Sequence, residues 1–108
     1  MTYTVSVLPK ARRDEAEIYG WLSQRSLQGA ENWRDAYYAA LRRLESNAGS
    51  HALAAEAKKV RVDLRESLFK TPKGRRYRIL YFIENDNVFV VRIRGPGQPP
   101  VRRCDLKT

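Results

Sequence analysis

Three arginines stand inside two apolar, strand-like stretches of residues 74–95, "GRRYRILYFIENDNVFVVRIRG". Arg78, Arg92 and Arg94 occupy positions where an ordinary core hairpin would carry apolar side chains. Guanidinium groups present several donors in a planar fork, which suits phosphate and carboxylate groups. A cluster of them would bind an anion, and would stabilise charge at phosphorus if the protein acted on RNA. Whether the three form a cluster depends on the strand register.

The bend between the two stretches decides which side chains share a face. A two-residue turn at Asn85-Asp86 would place Ile79 opposite Arg92. A loop that also includes Asn87 aligns apolar partners instead, and asparagine tolerates the left-handed conformation that closes such a loop. We therefore predict these opposite pairs: Ile79–Ile93, Tyr81–Val91, Ile83–Phe89, Arg78–Arg94 and Leu80–Arg92. In this register all three arginines lie on the sheet face away from the helices.

The basic surface extends beyond these two strands. Arg65, on the preceding predicted strand, is a candidate for the same face, although nothing in the sequence fixes its register. The loop "KTPKGRR" adds four more cations: Lys70, Lys73, Arg75 and Arg76. We predict that the arginines and this loop together bind an anionic target. A solvated outer face is the alternative.

The positive charge is confined to one half of the chain. Residues 1–56 hold 7 Lys and Arg against 7 Asp and Glu, whereas residues 57–108 hold 14 against 5. The second half therefore carries the whole net charge of +9, which is 14 − 5. Such segregation indicates a polyanion or an acidic protein as partner, with solubility alone as the alternative.

Composition excludes several classes of protein. No apolar run approaches the roughly 20 residues of a membrane span, and the N-terminal residues lack a secretory signal layout, so we expect a cytoplasmic location. A single cysteine, Cys104, and a single histidine, His51, cannot form an internal disulfide or a His/Cys zinc cluster. We expect no metal and no cofactor.

Residue periodicity predicts one α+β domain over residues 1–108. Pro9 suits the first turn of a helix, and Ser26 is a candidate helix cap. The second helix has an apolar stripe formed by Trp33, Tyr37, Ala40, Leu41 and Leu44. The predicted elements are a strand over 2–8, helices over 9–25 and 28–46, a short helical turn over 52–59, strands over 60–70, 76–84 and 88–94, and an irregular tail over 96–108. This β–α–α–β–β–β order predicts an antiparallel sheet packed against an N-terminal helical hairpin.

The chain resembles the RelE/ParE family of bacterial type II toxins, of the plasmid-stabilisation type. The stretches that carry the resemblance are "TVSVLPKARRDEAEIYGWLSQRS", "AENWRDAYYAALRRLES", "DLRESLF", "YRILYFI" and "VFVVRIR". The resemblance implies a growth inhibitor that is neutralised by a cognate antitoxin. We expect an acidic or amphipathic C-terminal segment of that antitoxin to cover the basic sheet face or the helix groove.

The resemblance leaves two cellular targets open. RelE-like toxins cut mRNA in the ribosome, and Arg78 in "YRIL" matches an arginine that they use. ParE-like toxins instead poison DNA gyrase and lack that catalytic set. The chain departs from the RelE-like pattern in two places. It has Arg65 and Ser67 in place of paired lysines, and "GQPP" at residues 97–100 in place of a late basic or histidine residue and a tyrosine.

RNA cleavage needs a proton acceptor and a proton donor. Arginine is a poor base, no sequence feature activates Lys70 or Lys73, and His51 lies outside the predicted sheet. We therefore favour a toxin that binds gyrase and is not an enzyme. A ribosome-dependent mRNA endoribonuclease, with the ribosome and mRNA as its target, is the first alternative. A non-toxic basic nucleic-acid-binding module or decayed toxin is the second.

Overall fold

The structure is a computed structural model that describes residues 2–107, so Met1 and Thr108, the ends of the predicted 1–108 domain and of its tail, lie outside the described residues. The elements in chain order are β1 Thr4–Val7, α1 Pro9–Ser23, α2 Leu27–Asn47, α3 Ala57–Val60, β2 Arg65–Phe69, β3 Tyr77–Glu84 and β4 Asn87–Arg94, with 3-10 turns at Ala48–Ser50 and Arg103–Leu106. The predicted α+β class and the order of strands and long helices are confirmed. The predicted short helical turn is α3.

The helical hairpin forms for the reasons that its sequence indicates. Pro9 is the first residue of α1, where its missing N–H has no intrahelical partner to lose. The Ser26 hydroxyl caps α2 by accepting the Gly29 N–H at 3.0 Å. The buried stripe of α2 is Ala30, Trp33, Tyr37, Ala40 and Leu44. Leu41, predicted in that stripe, is only partly buried.

The sheet is mixed, with strand order β1-β4-β3-β2. β2, β3 and β4 are antiparallel, as predicted, but β1 pairs parallel with β4, from Thr4 opposite Asn87 to Val7 opposite Val90. A parallel pair needs a long connection, and here α1, α2 and two further strands separate β1 from β4 along the chain. The fully antiparallel sheet expected from the sequence is therefore corrected at its first strand.

The β3–β4 hairpin has a two-residue turn and a bulge, where the sequence predicted a three-residue loop. Glu84 pairs with Asn87, and Asn85, not Asn87, has the left-handed conformation with φ 57°. A register shift between Leu80 and Tyr81 inserts one extra residue into β4.

The bulge divides the hairpin into two registers. At its open end the predicted pairs Arg78–Arg94, Ile79–Ile93 and Leu80–Arg92 are confirmed. Near the turn the predicted pairs are wrong: Tyr81 faces Val90 and Ile83 faces Val88. The extra residue, Val91, lets a two-residue turn be combined with the pairing of Ile79 with Ile93.

Apolar cores lie on both sides of the sheet. The larger packs the α1–α2 hairpin against one sheet face, which includes Ile79, Tyr81 and Ile93. The smaller lies on the opposite face, where residues 54–64 and the C-terminal segment, residues 96–106, cover the sheet. Its buried residues, including two from the sheet itself, are Ala54, Ala57, Val60, Leu64, Leu80, Val91 and Val101. The sheet face away from the hairpin is therefore covered by the chain itself. No helix within residues 2–107 has the length and hydropathy to cross a membrane.

Candidate functional site

The hairpin register places Arg78, Arg92 and Arg94 on the sheet face away from α1 and α2, hereafter the arginine face. Arg78 is held there by two carboxylates. Its guanidinium donates to both carboxylate oxygens of Glu56, at 3.0 and 2.5 Å, and to Glu66 Oε1 at 3.2 Å. Hydrogen bonding by Arg78 lowers the pKa of Glu56 to about 2, and Glu56 in turn raises the pKa of Arg78.

Arg92 is bound by a buried carboxylate of α1. It donates from Nε to Asp14 Oδ2 at 2.8 Å and from Nη2 to Oδ1 at 2.9 Å, a bidentate pair that raises the pKa of Arg92. Asp14, only 5% exposed, also accepts the Ile93 N–H at 2.9 Å. That strand N–H lies beyond the end of β1, so the carboxylate takes the place of a missing strand partner and fastens α1 to the sheet.

Arg94 is 7% exposed, beneath the C-terminal segment. Its Nε donates to the Pro99 carbonyl at 3.1 Å, and its Nη2 lies 3.3 Å from Asp105 Oδ2. Burial and the charge of Arg92 lower the pKa of Arg94. Asp105 also lies 3.7 Å from Arg92. The Arg102 N–H, which donates to Asp105 at 2.8 Å, and the neighbouring arginines lower the pKa of Asp105.

The three arginines are therefore together but internally paired. Arg78 stands directly opposite Arg94, an arrangement that would be destabilising for bare like charges. Carboxylates from four separate parts of the chain offset it: Asp14, Glu56, Glu66 and Asp105. What this arrangement does chemically is join α1, the α3 region and the C-terminal segment to the sheet. A role in binding an external anion stays a prediction.

Arg65 lies elsewhere. It pairs with Tyr81, whose side chain is in the larger core, and it donates to the His51 carbonyl. β2 therefore directs Arg65 to the hairpin side of the sheet and its neighbour Glu66 to the arginine face. The structure does not bring Arg65 to the other three arginines.

The four cations of residues 70–76, hereafter the basic loop, are all exposed: Lys70, Lys73, Arg75 and Arg76. The loop is closed by the Gly74 N–H, which donates to the Thr71 carbonyl at 3.0 Å. None of the ion pairs between residues 2–107 includes a side chain of this loop. Its charges therefore remain available to a partner.

A groove of about 740 Å³ runs beside the arginine face. Its walls combine α3 with the C-terminal segment, and Glu56 and Arg78 both line it. Three exposed cations also line it, Lys59, Arg102 and Arg103, and among residues 2–107 Glu56 is its single carboxylate. Because Arg78 already neutralises Glu56, the free charge of this groove is positive.

Two adjoining hollows, of about 550 and 290 Å³, lie between the α1–α2 hairpin and the basic loop. They share Trp21, Tyr77 and Pro96, and together are called the hairpin groove. Trp21 is 53% exposed, and the Arg25 guanidinium lies 3.7 Å from the centre of its ring. Gly95 allows the Tyr77 ring to lie against the backbone, since a Cβ there would stand 2.6 Å from the ring.

The single histidine does not lie on the arginine face. His51 belongs to the other side of the sheet, where its ring meets Tyr81 edge-on and lies 3.3 Å from Asn47 Oδ1. Burial and the nearby Arg43 and Arg65 lower the pKa of His51, which keeps it neutral at physiological pH. Within residues 2–107 no group of three His, Cys, Asp or Glu side chains is arranged to hold a metal ion.

Sequence reasoning missed the acidic residues that complete the arginine face. Asp14 and Glu56 are charged residues at buried positions of apolar helical patterns, and that signal was available. Their partners Arg92 and Arg78 lie 78 and 22 residues away along the chain, so no local pattern joins them.

Comparison with known proteins agrees with this geometry. The family model described as "ParE toxin of type II toxin-antitoxin system, parDE" matches residues 5–98, from β1 into the C-terminal segment. No curated protein matches the chain. The match covers the helical hairpin, the whole sheet and all three arginines of the arginine face. The chain belongs to the ParE toxin family of type II toxin–antitoxin systems.

Proposed function

We propose that this toxin acts by binding and poisoning DNA gyrase, and that it does not hydrolyse RNA. The observation that carries the proposal is that Arg78 is already paired with two carboxylates of the chain. Both carboxylate oxygens of Glu56 and one of Glu66 occupy the guanidinium that a RelE-like mechanism would direct at phosphate. Freeing it for a phosphate would leave the buried Glu56 carboxylate unpaired, which costs several kcal/mol.

The lack of proton-transfer groups also supports binding over hydrolysis. Cleavage of RNA by its 2′-hydroxyl needs a base and an acid beside the phosphate. Around Arg78 the described ion-pair partners are carboxylates already bound to arginine, and hydrogen bonding holds the pKa of Glu56 near 2, far below that of a useful general base. A gyrase poison needs shape and charge at its surface but no such pair.

We further propose that the cognate antitoxin lies in the groove beside the arginine face. Lys59, Arg102 and Arg103 supply its exposed positive charge, and the exposed Pro99 and Pro100 supply apolar surface. That combination suits an acidic, amphipathic segment. Reversing the charge at Lys59 and Arg102 together is expected to weaken antitoxin binding in calorimetry at least tenfold. The matched reversal at Lys73 and Arg75 serves as control, and equal losses from both pairs would contradict this placement.

The target is tested with two readouts on the same protein. Purified toxin is incubated with gyrase, ATP and supercoiled plasmid, and covalent cleavage complexes are released as linear DNA by detergent and protease. In parallel, transcripts from an active translation reaction are mapped for new 5′ ends. We expect linear DNA and intact transcripts. Cut transcripts without linear DNA would establish the ribosome-dependent alternative instead.

A matched pair of variants separates a catalytic from a structural role of Arg78. Arg78→Gln removes the guanidinium, whereas Glu56→Gln breaks the same ion pair but leaves the guanidinium in place. If Arg78 were catalytic, only Arg78→Gln would abolish activity at a temperature where both variants are folded. We expect both variants to lose thermal stability and both to keep gyrase poisoning while folded.

A further inference from the structure

We propose that the hairpin groove is a binding site for single-stranded nucleic acid. The inference goes beyond the proposed function, because the groove would bind an oligonucleotide without gyrase. It starts from the two adjoining hollows of about 550 and 290 Å³ that share Trp21, Tyr77 and Pro96. Their combined size falls in the range of sites that hold a small organic group.

The larger hollow supplies the charge for a phosphate backbone. Arg25 lines it from the hairpin side, and Lys73 and Arg75 line it from the basic loop. All three side chains are exposed, and no carboxylate of the described residues lines this hollow. Arg25 comes from the turn between α1 and α2, and the others come from the loop before β3, so the cations face one another across the groove. A chain of phosphates running along it would meet positive charge on both walls.

The smaller hollow supplies apolar surface for a base. It is lined by Ile18, Trp21, Tyr77 and Pro96, with Glu17 as its one charged residue. A carboxylate there disfavours a phosphate but accepts a hydrogen bond from an N–H group on the edge of a base, such as N3–H of thymine. The larger hollow therefore suits the charged phosphates of a nucleotide chain, and the smaller hollow suits a flat base.

Trp21 determines which polyanion fits best. An exposed indole beside a guanidinium is a stacking platform for a nucleobase, and base stacking tolerates any sequence. Bases within a duplex are already stacked on their neighbours, so the platform selects unpaired strands. An acidic peptide would use the cations but would have no flat group for Trp21.

The test is direct binding of a fluorescein-labelled oligo-dT of about 12 nucleotides by anisotropy, at several salt concentrations. With three phosphate contacts, the slope of log affinity against log salt is expected to be about −2 for a single strand. Trp21→Ala should weaken binding about tenfold, while Trp21→Phe should restore most of it. The double variant Lys73→Ala/Arg75→Ala should weaken binding and flatten the slope by about 1.4.

The control removes the same charge elsewhere. Lys58 and Lys59 are exposed on α3, on the opposite side of the sheet from the hairpin, so Lys58→Ala/Lys59→Ala should leave the salt slope unchanged. Trp21 is half exposed, and far-UV circular dichroism of each variant checks that the fold is retained.

Three outcomes would overturn the proposal. Equal losses from the two lysine-containing double variants would mean that DNA is attracted only by net charge. Unchanged affinity for Trp21→Ala would mean that no base stacks there. Tighter binding of a glutamate-rich peptide of the same length would assign the groove to an acidic polypeptide. None of these results bears on gyrase poisoning, which the linear-DNA assay measures separately.

Discussion

Arg78 keeps its charge on a largely covered sheet face because Glu56 and Glu66 reach it from two different parts of the chain. The Glu56 carboxylate also accepts the Val101 N–H at 3.1 Å. One carboxylate thus joins the α3 region, β3 and the C-terminal segment. Because the Glu56 side chain is buried, its loss leaves the Val101 N–H without this acceptor and the Arg78 guanidinium with Glu66 alone.

The pKa of Glu56 gives this contact a pH signature. Its folded-state pKa of about 2 lies below the ordinary value of 4.5. The group therefore stabilises the fold fully above pH 4.5, and this contribution is lost as the pH falls towards 2. In urea titrations from pH 7 to pH 2 we expect the free energy of unfolding to fall mainly within that interval. Glu56→Gln should lower the free energy at pH 7 by about 2 kcal/mol and flatten the fall.

Glu45→Gln is the control for this measurement, because Glu45 is an exposed carboxylate of α2. A Glu56→Gln variant with the same acid titration as the natural sequence would show that the Arg78 pair contributes nothing to stability.

At the residue scale the sequence predicted which arginines share a face but not what they bind. The register depends on alternation along adjacent strands, which is local information. The acidic partners depend on how α1 and the C-terminal segment pack against the sheet, and this packing joins residues that lie far apart along the chain. Arg65 shows the same limit, because the pairing of β2 with β3 decided its face and a seven-residue connection, residues 70–76, separates those strands.

The β3–β4 hairpin shows how an element can satisfy two registers at once. A two-residue turn closes the bend, as in the first of the two registers considered from the sequence. Beyond the bulge, the extra residue in β4 gives the pairing of Ile79 with Ile93 that the second register predicts. Asn85 takes the left-handed conformation that closes the turn. Alternation alone predicts one register along the whole hairpin, and so it could not reveal a bulge.

Substitutions in the turn distinguish the observed loop from the one predicted. Asn85→Ala is expected to destabilise the protein by about 1 kcal/mol, because alanine disfavours a positive φ, while Asn85→Gly should be neutral or slightly stabilising. Asn87→Ala should change the free energy of unfolding by less than about 0.5 kcal/mol. Urea unfolding measures all three, and a larger effect at Asn87 than at Asn85 would contradict the two-residue turn.

The helices were the most predictable elements. The stripe that begins at Trp33 and the cap at Ser26 are set by neighbours three or four residues apart. The parallel orientation of β1 was not predictable in this way, since it depends on where α1 and α2 return the chain. The shapes of the hairpin groove and of the groove beside the arginine face were not predictable for the same reason, because each is lined by segments that lie far apart along the chain.

Positive charge is distributed unevenly over the whole molecule. Of the 14 Lys and Arg in residues 57–108, those of α3 and the basic loop are exposed and form no ion pair within the described part of the chain. Repulsion among these cations opposes the compact state at low ionic strength, whereas the covered arginine pairs are screened much less by salt.

Added salt should therefore stabilise the free toxin. Between 0.01 and 0.15 M NaCl we expect Tm to rise by roughly 2–5 °C in scanning calorimetry. Lys58→Gln/Lys59→Gln should raise Tm at low salt and reduce the salt effect. A Tm that falls with added salt would show that ion pairs at the arginine face outweigh repulsion between the exposed cations.

The parallel ladder between β1 and β4 also sets an order of events during synthesis. Thr4 pairs with Asn87, which lies 83 positions later in the chain (87 − 4), so β1 has no strand partner until β4 has been synthesised. The α1–α2 hairpin consists of local contacts and can assemble early, but the sheet closes only when the last strand has left the ribosome. A growing chain therefore cannot complete its sheet until β4, Asn87–Arg94, has emerged.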